Sequence, residues 1–297
     1  MAREEIKAVR AFLAENVADA DIDLAGSRAR MDAIADIFPV PDGCIVEDID
    51  AYGVHGLWIA AEGAADDSVI LYLHGGGYSL GSSLSHRHLT AALSAEAEAC
   101  VLSIDYRMAP EFPYPAAIED AVAAYKWLLE VKGISPAKIM ISGDSAGGGL
   151  TMATLLMLRD RELGEPAGGM VISPWVDLTG DARSMETRAG MDPMVSRDGL
   201  RAMADAYLGG KDATAHLASP VFARLNGLPP LLIQVGTDEV LYDDSLRLAG
   251  NAVAAHVDVT LEIWDDMIHV WHTFFPMLEE GREALAKMGA FFKAKTA

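Results

Sequence analysis

Apolar residues follow two patterns along the chain, and the patterns alternate from about residue 68 onward. Residues 68–73 and 231–235 are short continuous apolar runs, as expected of strands buried on both faces of a sheet. Between such runs the apolar positions recur at helical spacing. Helices of ten or more residues between strands indicate a mostly parallel, doubly wound α/β sheet. Further strands are predicted over 101–104, 139–142, 169–173 and 257–264, and helices over 88–99, 116–131, 150–161, 244–256 and 274–293.

The first part of the chain departs from this alternation. Runs at 45–49 and 56–60 are too close for a crossover connection, so they predict an antiparallel hairpin at one edge of the sheet. Before them, helical spacing predicts one helix near the amino terminus and another over 27–37. We therefore divide the chain into an N-terminal helical cap segment, residues 1–43, and a main domain, residues 44–297. Whether that segment acts as a lid or is only extra surface helix stays open. The apolar positions of the first helix are Ile6, Val9, Phe12, Leu13 and Val17.

Residues 179–222 interrupt the strand–helix alternation. They contain one helical pattern, at 198–208, and no convincing strand. An insertion of this length, placed where a strand–helix unit should continue, predicts a cap over the carboxyl edge of the sheet. Its methionines could line an adaptable pocket or simply fill the core. They are Met185, Met191, Met194 and Met203.

Composition narrows the classes of function. A chain of 297 residues that is 51% hydrophobic can bury a large core. Its net charge of −21 repels phosphate backbones and anionic lipid headgroups, so we expect neither nucleic acid nor membrane partners. No apolar run approaches the roughly 18 residues that span a bilayer. Charged residues at the amino terminus argue against a signal peptide, and we expect a cytoplasmic protein. Cys44 and Cys100 show no metal-like spacing, although a disulfide between them stays open.

Residues 139–150 carry the strongest chemical signal. An apolar run ends in Gly143-Asp144-Ser145-Ala146-Gly147, and a helix-forming run follows at once. Strand, tight glycine-flanked turn and helix are the context in which a Gly-x-Ser-x-Gly motif marks a nucleophile. Ser145 is therefore the candidate nucleophile.

A second motif, His74-Gly75-Gly76-Gly77, follows the third predicted strand. Hydrolases with a serine nucleophile place backbone oxyanion donors in such a loop. The alternatives are a plain glycine turn and a phosphate cradle. A phosphate loop would continue with Gly-Lys-Ser/Thr, whereas Tyr78-Ser79-Leu80 follows here, which favours the oxyanion interpretation.

The base must be one of eight histidines. In the chain order nucleophile, acid, histidine, the base follows the last strand, where His269 comes first and His272 is the runner-up. His86 and His88 form a His-x-His pair without a nearby acidic or cysteine cluster. We interpret that pair as surface or helix-start residues and do not expect a metal site.

The acid should follow the preceding strand, where Gly236-Thr237-Asp238-Glu239 forms a turn. Asp238 is our choice, and Glu239 is the competing carboxylate. Asp243 and Asp244 are interpreted as caps of the next helix, since Asp accepts backbone N–H bonds there.

Together these motifs resemble the bacterial hormone-sensitive-lipase family (family IV) of α/β-hydrolase carboxylesterases. The resemblance covers most of residues 70–270 and includes Tyr106-Arg107-Met108-Ala109-Pro110-Glu111, Ser173-Pro174-Trp175-Val176-Asp177-Leu178 and Met267-Ile268-His269. It implies an α/β-hydrolase fold, an eight-stranded sheet with a helical cap, and a Ser145–Asp238–His269 triad. It implies oxyanion donors at Gly76, Gly77 and Ala146, a structural role for His74, and Asp144 as part of the signature. The chain departs from the family in one place, because Glu239-Val240 follows Asp238 where Pro-Leu is usual.

The activity that the resemblance implies is hydrolysis of small-molecule, short-chain acyl esters, without a metal or organic cofactor and with a possible homodimer. Lipase or amidase activity on the same triad is the alternative within enzymes. A non-catalytic ligand-binding module on this fold is the alternative from another class, and the presence of His269 argues against it. Tyr78 and Trp175 could line the substrate pocket or be ordinary core residues.

Overall fold

A mixed sheet of eight strands forms the centre of the protein in the computed structural model, which describes residues 4–16 and 22–297. Val17, which we assigned to the first helix, lies outside these residues. The strands are β1 (Ile45–Ala51), β2 (Val54–Ala60), β3 (Ala65–Leu73), β4 (Ala99–Ile104), β5 (Ile139–Asp144), β6 (Gly168–Ile172), β7 (Leu231–Gly236) and β8 (Val259–Trp264). The helices are α1 (Glu4–Glu15), α2 (Leu24–Asp32), α3 (Ile34–Ile37), α4 (Arg87–Ala97), α5 (Ala116–Glu130), α6 (Ala146–Asp160), α7 (Ser184–Thr187), α8 (Arg197–Leu208), α9 (Tyr242–Ala254) and α10 (Glu279–Thr296). Short 3₁₀ helices cover Pro136–Lys138, Pro220–Phe222 and Trp271–Phe274.

The strand order is β1-β2-β4-β3-β5-β6-β7-β8. β1 and β2 form the antiparallel hairpin, β2 also pairs antiparallel with β4, and the remaining pairs are parallel. The predicted doubly wound α/β sheet with an antiparallel edge is therefore confirmed. The carboxyl ends of β5, β6, β7 and β8 lie side by side, which brings the loops after these strands together.

Alternate residues of the central strands enter separate cores on the two faces of the sheet. Leu71 and Leu73 of β3 pack in the core that includes α5 and α6. Ile70 and Tyr72 pack in the opposite core with α4 and α10. Every residue of β5 is buried, as expected of a central parallel strand.

Element boundaries differ from the prediction where the backbone changes conformation. Glu98 has a left-handed φ of 55°, so α4 ends at Ala97 and β4 begins at Ala99. The predicted last helix begins only at Glu279, after a 3₁₀ turn. Pro276 lies between the two, and a proline inside a helix would remove a hydrogen bond.

The N-terminal helices lie against the loops that follow the strands. Ile6 and Val9 of α1 are buried with Ile268 and Trp271, which flank His269. Residues 179–222 contain α7, α8 and a 3₁₀ turn, and no strand. No helix in the described parts of the chain is long and apolar enough to cross a membrane.

Candidate active site

Ser145 lies at the turn between β5 and α6 in a strained backbone conformation, with φ 54° and ψ −120°. The turn depends on its flanking glycines, since a Cβ on Gly147 would lie 1.9 Å from the Leu73 carbonyl oxygen. The Ser145 N–H donates to the Ile172 carbonyl at 2.8 Å, and the Ser145 carbonyl accepts from the Trp175 N–H at 2.8 Å. The loop after β6 therefore fixes the serine backbone, and the residue is only 8% exposed.

His269 is hydrogen-bonded to a buried carboxylate. Its Nδ1 lies 2.8 Å from Oε2 of Glu239, which is fully buried. The other oxygen, Oε1, accepts from the Ser173 hydroxyl at 2.8 Å and from the Gly236 N–H at 2.7 Å. Burial by itself lowers the pKa of His269, but the hydrogen bond and charge of Glu239 outweigh it and the net pKa is raised. Glu239 is thus positioned to orient the ring and stabilise its cation.

The loops after β5, β7 and β8 are joined through the end of β6 and the residue that follows it. Ile172 accepts the Ser145 N–H, while the hydroxyl of the next residue, Ser173, contacts Glu239 and accepts the Val270 N–H at 3.1 Å. Ser173 thus links Glu239, in the loop after β7, to Val270, in the loop after β8. The sequence analysis did not predict this role of Ser173. Like Ser145, Ser173 is a serine directly after a buried strand, and that position could have indicated it.

The Asp238 prediction is wrong as to the partner of His269. The Asp238 carboxylate instead accepts from the Arg10 guanidinium at 2.6 Å. Arg10 also donates to the Met191 carbonyl at 2.8 Å, so Arg10 joins α1 both to the turn of Asp238 and to the 179–222 segment. The two carboxylates are consecutive on one turn and point to different partners. Sequence spacing does not distinguish them.

His272, the runner-up base, has a structural contact. Its Nε2 lies 2.8 Å from the Gln234 side-chain oxygen. Burial lowers the pKa of His272 to about 3, so the ring is neutral. We expected Asp243 and Asp244 to cap helix α9, and this prediction is wrong. Asp243 accepts from the Ser184 N–H, and Asp244 accepts from two N–H groups of the loop after β6.

The glycine loop after β3 exposes its N–H groups. Gly76 and Gly77 have φ of 113° and 62°. Within the described residues, neither N–H donates a hydrogen bond. Ala146 is the first residue of α6, where a helix N–H has no intrahelical acceptor. The three predicted oxyanion donors therefore have N–H groups free for an anion.

Residues 70–273 match the family described as the alpha/beta hydrolase fold. The chain belongs to the α/β-hydrolase fold family. It is 44% identical to an esterase of the bacterial hormone-sensitive lipase family, with a TM-score of 0.97 over all of both chains. It is also 50% identical to an acetyl-hydrolase of Streptomyces hygroscopicus over 78% of this chain and 77% of that protein. Within the family, the chain is a hormone-sensitive-lipase-like carboxylic ester hydrolase.

The two aromatic residues predicted near the pocket of this esterase are buried. The Tyr78 ring stacks on Tyr207 of α8 at 3.7 Å between centroids. The Trp175 indole N–H donates to the Asp177 carbonyl at 3.1 Å. Each residue is 1% exposed, so ordinary packing describes both side chains, and a role in the substrate pocket stays a prediction.

The methionines of the 179–222 segment divide between core and surface in the esterase. Met185 is buried, whereas Met191 and Met194 are 39% and 45% exposed. Met203 of α8 lies directly against the glycine loop, because a Cβ on Gly77 would fall 2.0 Å from its Sδ. Met203 is thus the methionine that contacts the predicted oxyanion loop.

The esterase keeps His74 as a structural residue beneath this loop. Its ring stacks on Tyr106 at 4.2 Å, and burial lowers its pKa to about 4. His86 and His88 begin α4, as one of our alternatives had it, but they are 6% and 1% exposed, so the surface interpretation is wrong. In residues 4–16 and 22–297 no group of three His, Cys, Asp or Glu side chains could hold a metal ion. Cys44 and Cys100 are both free.

Proposed function

We propose that the protein hydrolyses short-chain acyl esters through a Ser145–His269–Glu239 triad and an acyl-enzyme intermediate. The observation that carries this proposal is the 2.8 Å hydrogen bond between Glu239 and His269 Nδ1. It leaves Nε2 as the ring nitrogen for Ser145, which lies at the end of a strand in the same sheet. The acid differs from the Asp238 that the resemblance implied.

In the proposed mechanism, His269 Nε2 accepts the proton of Ser145 Oγ as that oxygen attacks the ester carbonyl. Glu239 holds the ring orientation and stabilises the imidazolium. The N–H groups of Gly76, Gly77 and Ala146 donate to the developing oxyanion, and such a donor is worth about 3–4 kcal/mol where it has been measured. The alcohol departs with the proton from His269, and water then repeats the sequence on the acyl group.

The preference for short acyl chains rests on the relatives and on α8. One relative carries the name acetyl-hydrolase. A structural relative, 47% identical over 99% of both chains with a TM-score of 0.95, was soaked with p-nitrophenyl butyrate. In this chain Met203 and the buried Tyr78 crowd the space beside the glycine loop. Crowding of this kind limits the length of the acyl group that can approach Ser145.

An acyl-chain series tests both parts of the proposal. We expect kcat/KM for p-nitrophenyl esters to be highest for acetate or butyrate and to fall steeply toward palmitate. A fluorophosphonate should label Ser145 in the wild type. The Ser145→Ala variant should take no label and hydrolyse no ester while its circular dichroism spectrum is unchanged. Turnover in Ser145→Ala would exclude the serine mechanism, and a maximum at palmitate would favour a lipase.

A further inference from the structure

A buried pair of potentially charged groups lies beneath the nucleophile and the glycine loop. Asp144 immediately precedes Ser145 and is 3% exposed, and His86 at the start of α4 is 6% exposed. His86 Nε2 lies 3.4 Å from Asp144 Oδ1. The proposed mechanism assigns neither side chain a role. A buried ion pair is expensive to desolvate, so its presence at this position calls for a function.

The hydrogen-bond partners of His86 define its charge. Nδ1 faces the Ser82 carbonyl at 3.2 Å and the Ser85 hydroxyl at 2.9 Å. A carbonyl can only accept, and the Ser85 hydroxyl donates its own hydrogen to that carbonyl. On the other side, Nε2 faces a carboxylate. A neutral imidazole would turn a lone pair toward one of these acceptors, whereas an imidazolium donates to both.

Asp144 is likewise held in its charged form. Its Oδ1 accepts from the Tyr72 hydroxyl at 2.8 Å and from the Gly75 N–H at 3.0 Å. Burial by itself raises the pKa of Asp144, but the charge of His86 and the hydrogen bonds from His86 and Tyr72 together outweigh it, and the net pKa is lowered. For His86, burial lowers the pKa, but the charge and hydrogen bond of Asp144, together with the Ser82 carbonyl, outweigh it, so the net pKa is raised.

The carboxylate acts directly on the backbone of the glycine loop. A Cβ on Gly75 would lie 2.1 Å from Asp144 Oδ2, so the loop is packed against the carboxylate with no space for a side chain. The Gly75 N–H donates to Asp144, and the N–H groups of the next two residues, Gly76 and Gly77, have no acceptor among the residues that the structure describes. Asp144 thus holds the residue that immediately precedes those two N–H groups.

We propose that His86 is a positioning residue that stays protonated, keeps Asp144 ionised and thereby fixes the glycine loop in its oxyanion-binding geometry. This inference rests on the proposed function, because it assumes that the loop binds the oxyanion.

Several other ionisable groups face this pair. Asp32 of α2 favours the cation of His86, and Asp105 and Asp144 favour protonation of the adjacent His74. His74 opposes the His86 charge only weakly, since its own pKa of about 4 leaves it neutral. Arg87 and His88 follow on the same helix, and burial lowers the pKa of His88 to about 4. The negative groups therefore dominate around His86.

The His86–Asp144 pair should make kcat decrease at alkaline pH. A histidine whose pKa is raised in the folded protein keeps its stabilising charge below that pKa and loses it as the pH rises through that value. Loss of the charge removes the partner of Asp144, so kcat should fall on the alkaline side. His269 acts in the opposite direction, because the base must be neutral and its protonation lowers the rate in acid.

The test compares His86→Gln with His88→Gln. We expect His86→Gln to lower kcat about 10- to 100-fold, the cost of displacing a catalytic group by about 1 Å. KM should change little, and the alkaline fall of the wild type should be absent. His88 stacks on Phe38, and its Nε2–H donates to the Thr273 carbonyl at 3.1 Å, so His88→Gln should leave the kcat pH profile unchanged even if stability falls.

Asp144→Asn and the double variant with His86→Gln test whether the two residues act together. If His86 acts through Asp144, the double variant should be no slower than the slower single variant. Multiplied losses in the double variant would overturn the proposal, as would a wild-type kcat and pH profile in His86→Gln. Fluorophosphonate labelling of Ser145 separates the two hypotheses: a wild type that takes no label contradicts the proposed function, whereas a labelled His86→Gln with full kcat contradicts only the role of His86.

Nitrogen-15 NMR of the wild type keeps the proposal testable if His86→Gln does not fold. We expect the His86 ring to show imidazolium nitrogen shifts at neutral pH and to titrate above the usual range of a histidine. A neutral His86 ring at neutral pH would overturn the proposal.

Discussion

At the scale of the residue, Asp238 and Glu239 show what the sequence can and cannot predict. The placement of Ser145 and His269 after strands follows from the alternation of strands and helices, and the structure has Ser145 directly after β5 and His269 in the loop after β8. The orientation of a turn residue depends on local backbone geometry. Glu239 points toward Ser173 and the Gly236 N–H, and Asp238 points toward Arg10, which is 228 residues away in the chain. A contact at that separation leaves no local pattern.

Exchanging each carboxylate for its amide should separate their roles. Glu239→Gln should lower kcat for p-nitrophenyl acetate about 10³- to 10⁴-fold, the range expected when the carboxylate behind a catalytic histidine is lost. The acid limb of its pH profile should also move to lower pH, because Glu239 is what raises the pKa of His269. Asp238→Asn is the matched control and should keep kcat within a few-fold of the wild type. The reverse ranking would restore Asp238 as the acid.

Docking of the N-terminal helices is the feature that was hardest to predict at the scale of the element. Helical spacing predicts α1, but not the ion pair of Arg10 with Asp238 beside the acid. Arg28 of α2 similarly binds Glu111 and the Ser79 carbonyl, which follows the glycine loop. Both contacts join an early helix to a loop after a strand. Helix α8 reaches the same edge through Met203, so elements from both predicted cap regions lie around the site.

Shortening Met203 should change the selectivity between acyl chains. The side chain covers Gly77, and its removal opens space beside the oxyanion donors. We expect Met203→Ala to raise the ratio of kcat/KM for octanoate over acetate about 10-fold, a size typical of one or two added methylenes in an apolar pocket. Met194→Ala alters an exposed methionine of the same segment and should leave the ratio unchanged. Equal ratios in Met203→Ala and the wild type would exclude this role for α8.

At the scale of the whole molecule, the order of strands and helices was predictable because burial imposes a simple pattern. Residues of β5 are buried on both faces and are nearly all apolar or small. Burial of polar side chains cannot be predicted from such a pattern. His86, His88 and Asp244 lie inside the protein, although aspartate is mostly exposed in proteins and histidine is intermediate in burial. Their partners come from distant parts of the chain, and these contacts contribute to the pH dependence of stability.

Asp244 should make the free energy of unfolding fall with rising pH. Burial raises its pKa from 3.8 to about 8, although two backbone N–H groups oppose the shift. Its Oδ1 has no hydrogen-bond partner among the residues that the structure describes. Between these two values the folded protein keeps a proton that the unfolded chain has released, so stability should decrease by up to about 1.4 kcal/mol per pH unit.

The variant Asp244→Asn should remove this contribution to the slope of the free energy of unfolding against pH. An amide does not titrate, and its oxygen can still accept both N–H bonds. Urea unfolding at a series of pH values from acid to mildly alkaline measures the slope directly, and the variant should be more stable than the wild type at the alkaline end. Asp243→Asn changes the neighbouring residue, which binds the Ser184 N–H, and should keep the wild-type slope. An unchanged slope in Asp244→Asn would mean that Asp244 is ionised in the folded protein. The decline in stability would then be expected from the histidines whose pKa is raised, His55, His86 and His269, because they act in the same direction.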